Sequence, residues 1–178
     1  VTATKTWTKE AALMSEELFD VVDNEDHVTG VLARSEVHRL KLLHRAVHVF
    51  VFRSSGDMLI HKRSATKEEF PSVWTSSCSG HVSAGESYDE SAPRELFEEL
   101  GVRATIKPVR KFSACGDTSF EFTMLYCAES DDVIIPDPGE MTDIRWMPTE
   151  AIAQWLQTTP GDFSPAFRLL FESTWRSL

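Results

Sequence analysis

What this 178-residue chain has little of narrows its class. It holds three cysteines, Cys78, Cys115 and Cys127, an odd number without close spacing. That argues against a disulfide framework and a cysteine-rich zinc site, and predicts an intracellular, cytoplasmic setting. No apolar run approaches the roughly 18–20 residues that span a bilayer, so no membrane role is expected. The opening VTATKTWTKE lacks the apolar centre of a secretory leader, and it starts with Val, as a processed or trimmed chain would. Positive charge is scarce too: 18 Lys and Arg stand against 28 Asp and Glu, a net charge of −10. The cations are scattered, and such a chain repels a phosphate backbone, so a nucleic-acid polymer is excluded as partner. What remains is a chain 42% hydrophobic and 26% charged, enough for one domain with a real core. The expected division is a loosely held extension over 1–20 and a single domain over 21–178.

Periodicity and turn residues outline the elements. ELFDVVDNEDHVTGVLAR reads as two short strands around the polar turn Asn24 to Asp26, and SEVHRLKLL as a short helix capped by Ser35. HRAVHVFVF and MLIHKRS form a hairpin through RSSGD. VWTSSC is a short extended piece. ATIKPVRKFSAC and SFEFTMLYCAE pair around Gly116–Asp117, and DIRWMP is a strand ended by Pro148. TEAIAQWLQ and SPAFRLLFESTW are helices capped by Thr149 and Ser164, with Pro165 at a first helical position. Trp155, Phe167, Phe171 and Trp175 are expected to pack these helices. The pattern predicts an α/β fold, a mixed sheet with helices on its faces.

The segment Gly80–Val102, GHVSAGESYDESAPRELFEELGV, is dense in carboxylates. Ser87 followed by Glu90 is a capping box that starts a helix, and Gly101 sits where it would end. Glu95, Glu98 and Glu99 fall at i, i+3 and i+4, on one helix face, where like charges repel. A divalent cation reverses the sign of that repulsion, since hard cations take carboxylate oxygens, water and substrate phosphates. A solvated acidic face is the alternative for three glutamates alone. Glu86 is placed to pair with Arg94. Pro93, inside the expected helix, removes a backbone hydrogen bond at a cost of about 3 kcal/mol in an unconstrained helix, which predicts a kink or a later start.

The full spacing Gly80, Glu86, Arg94-Glu95, Leu96, Glu98-Glu99, Gly101, Val102 resembles the Nudix box at every fixed position. The resemblance implies an α/β/α sandwich around a mixed β-sheet. It implies an enzyme that hydrolyses a diphosphate linkage in a nucleoside diphosphate derivative or related small molecule, by water attack at phosphorus with Mg²⁺ or Mn²⁺. Glu95, Glu98, Glu99 and the Gly80 carbonyl become metal ligands, Arg94 and Glu86 supporting partners, and Glu98 or Glu99 the general base. Glu121, on the SFEF strand, is a candidate base or ligand from outside the box. Many members dimerise, so a homodimer is a further expectation.

A second resemblance is to the subgroup of Nudix proteins related to isopentenyl diphosphate isomerase, carried by LLHRAVHVFVF and HKRSATKEEFPSVWTSSCSGHV. The isomerase moves a double bond by protonation, using a cysteine, a glutamate and His/Glu metal ligands. His44 and His81 match its histidines. Its cysteine directly precedes Gly-His, whereas here Ser79 stands there and Cys78 is one residue early, which on a strand turns the side chain to the other face. Of its paired acidic positions Glu121 is present and Ser119 replaces the other. Arg63 and Lys67 are candidate diphosphate contacts, and Phe70 and Trp74 candidate walls for the attached group. Three readings follow: a hydrolase, a double-bond isomerase, and an inactive binding module.

Overall fold

The computed structural model describes residues 16–178. A hairpin of β1 (Leu18–Val22) and β2 (Val28–Ala33) leads into helix α1 (Arg34–Leu40). β3 (His44–Phe52), β4 (Met58–Arg63), β5 (Trp74–Thr75) and β6 (Cys78–His81) follow. Helix α2 (Tyr88–Leu100) comes next, then β7 (Ile106–Phe112), β8 (Glu121–Glu129) and β9 (Met141–Met147), and finally helices α3 (Thr149–Thr158) and α4 (Pro165–Thr174). A seven-stranded sheet runs β5-β4-β3-β8-β7, with β6 also on β3 and β9 on β4. Only β3 and β8 pair in parallel, so the sheet is mixed.

Strand alternation divides the core. On β3, Val47, Val49 and Val51 face α2 with Cys78, Ala92, Leu96 and Leu100, while Phe50 faces α3 and α4 with Ile152, Phe167 and Phe171. The result is the expected α/β/α sandwich, and Trp155, Phe167, Phe171 and Trp175 pack the C-terminal helices as anticipated. The expected β3–β4 hairpin turns through Gly56 at φ 87°, but its strands pair only at Phe52 and Met58. Beyond that point β6 lies beside β3, and β5 and β9 lie beside β4.

Four local expectations need correction. The boundary drawn at residue 20 falls inside β1, whose Phe19 is fully buried; the rest of the predicted extension, 1–15, lies outside the described residues. The cap of α1 is Ala33 rather than Ser35, because the helix already starts at Arg34, and the Glu16 carboxylate, ahead of β1, accepts from the Ser35 N–H at 2.7 Å. α3 is capped by Pro148, whose ring holds the turn out of β9, and Thr149 is its first residue. Finally, α2 is α-helical without a break through Pro93 and starts after Ser87, not later. Burial explains the last case: fully buried Leu96 and Leu100 contribute roughly 1.5–3 kcal/mol each, enough to offset the lost hydrogen bond. The capping box fastens one end, and Gly101, at φ 70°, ends the helix as expected.

Candidate active site

One cavity of about 310 Å³ collects the chemistry. Its first wall is the α2 face. Arg94 is the hub: Nε and NH2 donate to the two oxygens of Glu86, each at 2.8 Å, while NH1 donates to Glu95 at 2.7 Å and to Glu98 at 3.0 Å. Such forked pairing sets orientation as well as charge. The Glu86 bonds hold the guanidinium above its ordinary pKa, and Arg94 in return lowers Glu86. Glu95 lies against β6, and a Cβ at Gly80 would collide with its carboxyl group, so glycine there leaves the carboxylate its place against the strand. Burial pushes Glu95 up to about 7 despite Arg94. Glu99 is buried more deeply, accepts from the Ser79 N–H at 3.3 Å, and is raised well above its ordinary value by burial and then by Glu95 and Glu140. Glu98 stays open to solvent, its side chain 57% exposed. Two buried carboxylates, of which only Glu95 pairs with an arginine, are short of positive charge, which fits a divalent cation such as Mg²⁺ or Mn²⁺.

The second wall is built from histidines. His38 on α1, His44 on β3 and His81 on β6 bring ring nitrogens within 4.8 Å of one another, and Phe19 stacks on His81 at 4.5 Å. His44 Nδ1 lies 2.9 Å from the Leu42 carbonyl, which can only accept, so the proton sits on Nδ1. Its Nε2 lies 3.5 Å from Glu121 Oε1. His38 Nε2 and His44 Nε2 are buried without a hydrogen-bond partner among the described residues. Glu121 is partly enclosed, its side chain 12% exposed, and lies 3.1 Å from His81 Nε2. Burial alone would raise its pKa, but its contacts with His44 and His81 outweigh burial and hold the carboxyl well below the usual range. Imidazole nitrogens gathered beside a carboxylate also fit a cation, here one that accepts imidazole nitrogen.

The other anticipated residues divide. Arg63 and Lys67 line the cavity; Arg63 donates to the Glu69 and Phe70 carbonyls, and Lys67 pairs with Glu140. Phe70, half-exposed at φ 46°, lines it too. Trp74 does not: strand alternation turns it into the core against Trp155 and presents Thr75 to the cavity instead. Cys78 is fully buried on the α2 side, while Ser79 lines the cavity. Ser119 lines it as well and donates to Glu69 at 2.6 Å. Sequence reasoning missed His38, His48, Asp137 and Glu140, all lining residues. Five residues and a change from helix to strand separate His38 from His44, so no regular spacing announces the pair.

Comparison with known proteins agrees with this geometry. The NUDIX domain model matches residues 42–167. Among curated proteins, isopentenyl-diphosphate Delta-isomerases are similar. The one from Nocardia farcinica is 32% identical, with 82% of this chain and 87% of that protein covered. The one from Pectobacterium atrosepticum is 31% identical, with 85% and 87% covered. Among solved structures, DR0079 from Deinococcus radiodurans is 30% identical with a TM-score of 0.72, covering 80% of this chain and 90% of that one. A MutT protein from Methanosarcina mazei, 20% identical with a TM-score of 0.57, shares the fold over 74% of this chain and 91% of its own. With its box intact and its sandwich built around the box helix, the chain belongs to the NUDIX domain family.

Proposed function

We propose that this protein hydrolyses a diphosphate linkage in a small molecule, a nucleoside diphosphate derivative or a relative, with its box carboxylates as the reaction centre. The observation that carries the reading is the α2 wall: Glu95 and Glu98 held by Arg94, Glu95 against Gly80, and Glu99 at the Ser79 N–H. Glu95, Glu98, Glu99 and the Gly80 carbonyl would hold Mg²⁺ or Mn²⁺, which supplies electrophilic charge to the non-bridging phosphate oxygens when bound. Arg63 and Lys67, which line the same cavity, bind those oxygens. Solvent-open Glu98 takes the proton of the attacking water as its oxygen bonds to phosphorus. The bridging P–O bond breaks, and its oxygen leaves with the electron pair and is protonated from solvent. Arg94 keeps Glu95 and Glu98 pointed at the centre, with Glu86 bracing it.

A second reading, double-bond isomerisation, is favoured by the histidine wall with Glu121 and by the names of the curated relatives. Against it stands Cys78, turned into the core where burial holds its thiol protonated, with Ser79 at the cysteine's place and Ser119 at that of the second acid. Phosphate release from nucleotide sugars, dinucleotides, nucleoside triphosphates, coenzyme A and isoprenoid diphosphates, run with each cation, tests the choice. The expected result is metal-dependent hydrolysis that falls roughly 10²–10⁴-fold in Glu98→Gln, the range of a lost general base. Isomerisation of isopentenyl diphosphate without any hydrolysis would sink the reading.

A further inference from the structure

Besides the carboxylates the cavity is lined by His48, Thr75, Ser164 and Ala166, a part of its wall that the hydrolysis described above does not use. His48 pairs across the sheet with Ser79, the neighbour of Gly80, so this part borders the reaction centre. The imidazole is 6% exposed. Its Nδ1 lies 2.7 Å from the buried Ser76 hydroxyl, and among the described residues nothing hydrogen-bonds its Nε2. Burial lowers its pKa to about 4, so the ring enters any contact as a neutral donor or acceptor. Thr75 Oγ1 and Ser164 Oγ lie 2.9 Å apart beside it, and Ser164 caps α4, whose first turn reaches the cavity at Ala166. Apart from the half-exposed Phe70, the apolar side chains lining the cavity are the small Ala46 and Ala166. An alkyl or isoprenoid chain would meet little apolar wall and would strand His48 Nε2 without water, whereas a polar ring satisfies it.

We infer that His48, with Thr75 and Ser164, forms a specificity subsite that takes a hydrogen-bonding ring carried by the diphosphate, a nucleobase or a sugar, in preference to an apolar chain. The inference rests on the reading that the carboxylate centre receives a diphosphate. Calorimetry in the Glu98→Gln background with Mg²⁺ tests it, using UDP, UDP-glucose, ADP, ADP-ribose and geranyl diphosphate as probes. His48→Leu is expected to weaken the polar probes roughly tenfold while leaving geranyl diphosphate unchanged or tighter, and His48→Gln to restore most of the affinity. Thr75→Val, nearly isosteric, is expected to weaken the same probes less, and it serves as the test if His48→Leu does not fold. Loss confined to UDP-glucose and ADP-ribose assigns a sugar; equal loss for UDP and ADP assigns a base. Failure of the polar probes to bind, or equal effects on geranyl diphosphate, overturns the subsite. Absence of hydrolysis by the otherwise unaltered protein, with this binding pattern intact, overturns only the reading of the reaction.

Discussion

The carboxylate wall and the histidine wall of the cavity differ in how local their geometry is. Glu95, Glu98 and Glu99 are brought together by a single helix whose cap, stop and braces all lie within Gly80–Val102. His38, His44, His81 and Glu121 come from a helix and three strands spread over 84 residues of chain. The first wall also has its own counter-charge in Arg94, with one carboxylate left open to solvent. The second has buried nitrogens with no partner. A helix can thus carry a hard-cation site as a portable motif, while an imidazole site depends on the docking of the β1–β2 hairpin and α1 onto the sheet. That docking rests on Asp26, which accepts from Arg45 at 2.6 Å and Tyr88 at 2.9 Å and also pairs with Lys111.

The largest effect is expected from Gly80→Ala. The new methyl collides with the Glu95 carboxyl, the far end of a flexible side chain, so the fold adjusts while the ligand is displaced. Hydrolysis should fall roughly 100-fold with the melting temperature nearly unchanged, since small misplacements at a reacting centre cost about that much. A parallel collapse of stability would instead make the Gly80 contact structural.

Smaller, and aimed at the other wall, is His44→Ala. If the walls act independently, hydrolysis stays within a few-fold of the parent, while the visible absorption of Co²⁺ bound by imidazole is lost. Glu98→Gln should show the reverse pattern. Hydrolysis falling as far in His44→Ala as in Gly80→Ala would join both walls in one reaction.

Smallest is a pH effect at a histidine on neither wall. His61 is buried with Nδ1 at 3.0 Å from the Ser77 carbonyl, and burial lowers its pKa to about 4. The unfolded chain binds its proton near 6.5, so between 6.5 and 4 the unfolded state holds more protons. Its contribution to stability is therefore present above pH 6.5 and lost as pH falls toward 4. Thermal melts across that window should show a shallower acid slope in His61→Leu than in the parent. An unchanged slope would assign the acid sensitivity to other groups.

Much of this was legible in the residues alone, and the boundary is a matter of range. Strand alternation, the Ser87 capping box, the Gly101 stop and the shared face of Glu95, Glu98 and Glu99 depend on neighbours within a few positions, so they could be read directly. Pro93 misled because the helix-breaking cost is local, while the burial of Leu96 and Leu100 that outweighs it belongs to the packed sheet. Ser35 misled because the helix already starts at Arg34, and the carboxylate of Glu16, ahead of β1, accepts from the Ser35 N–H in its first turn. Trp74 and Thr75 illustrate the same limit: their order in the chain is plain, but which of them faces the cavity depends on the pairing of β5 with β4. The sequence alone set the α/β/α class, the box and its carboxylates. Folding in three dimensions chose the company those carboxylates keep, joining His38 to His44 and His81 and opening His48 onto the same cavity. Short-range geometry follows from dihedral preferences, whereas burial and electrostatic environment exist only once distant segments have displaced water from between them.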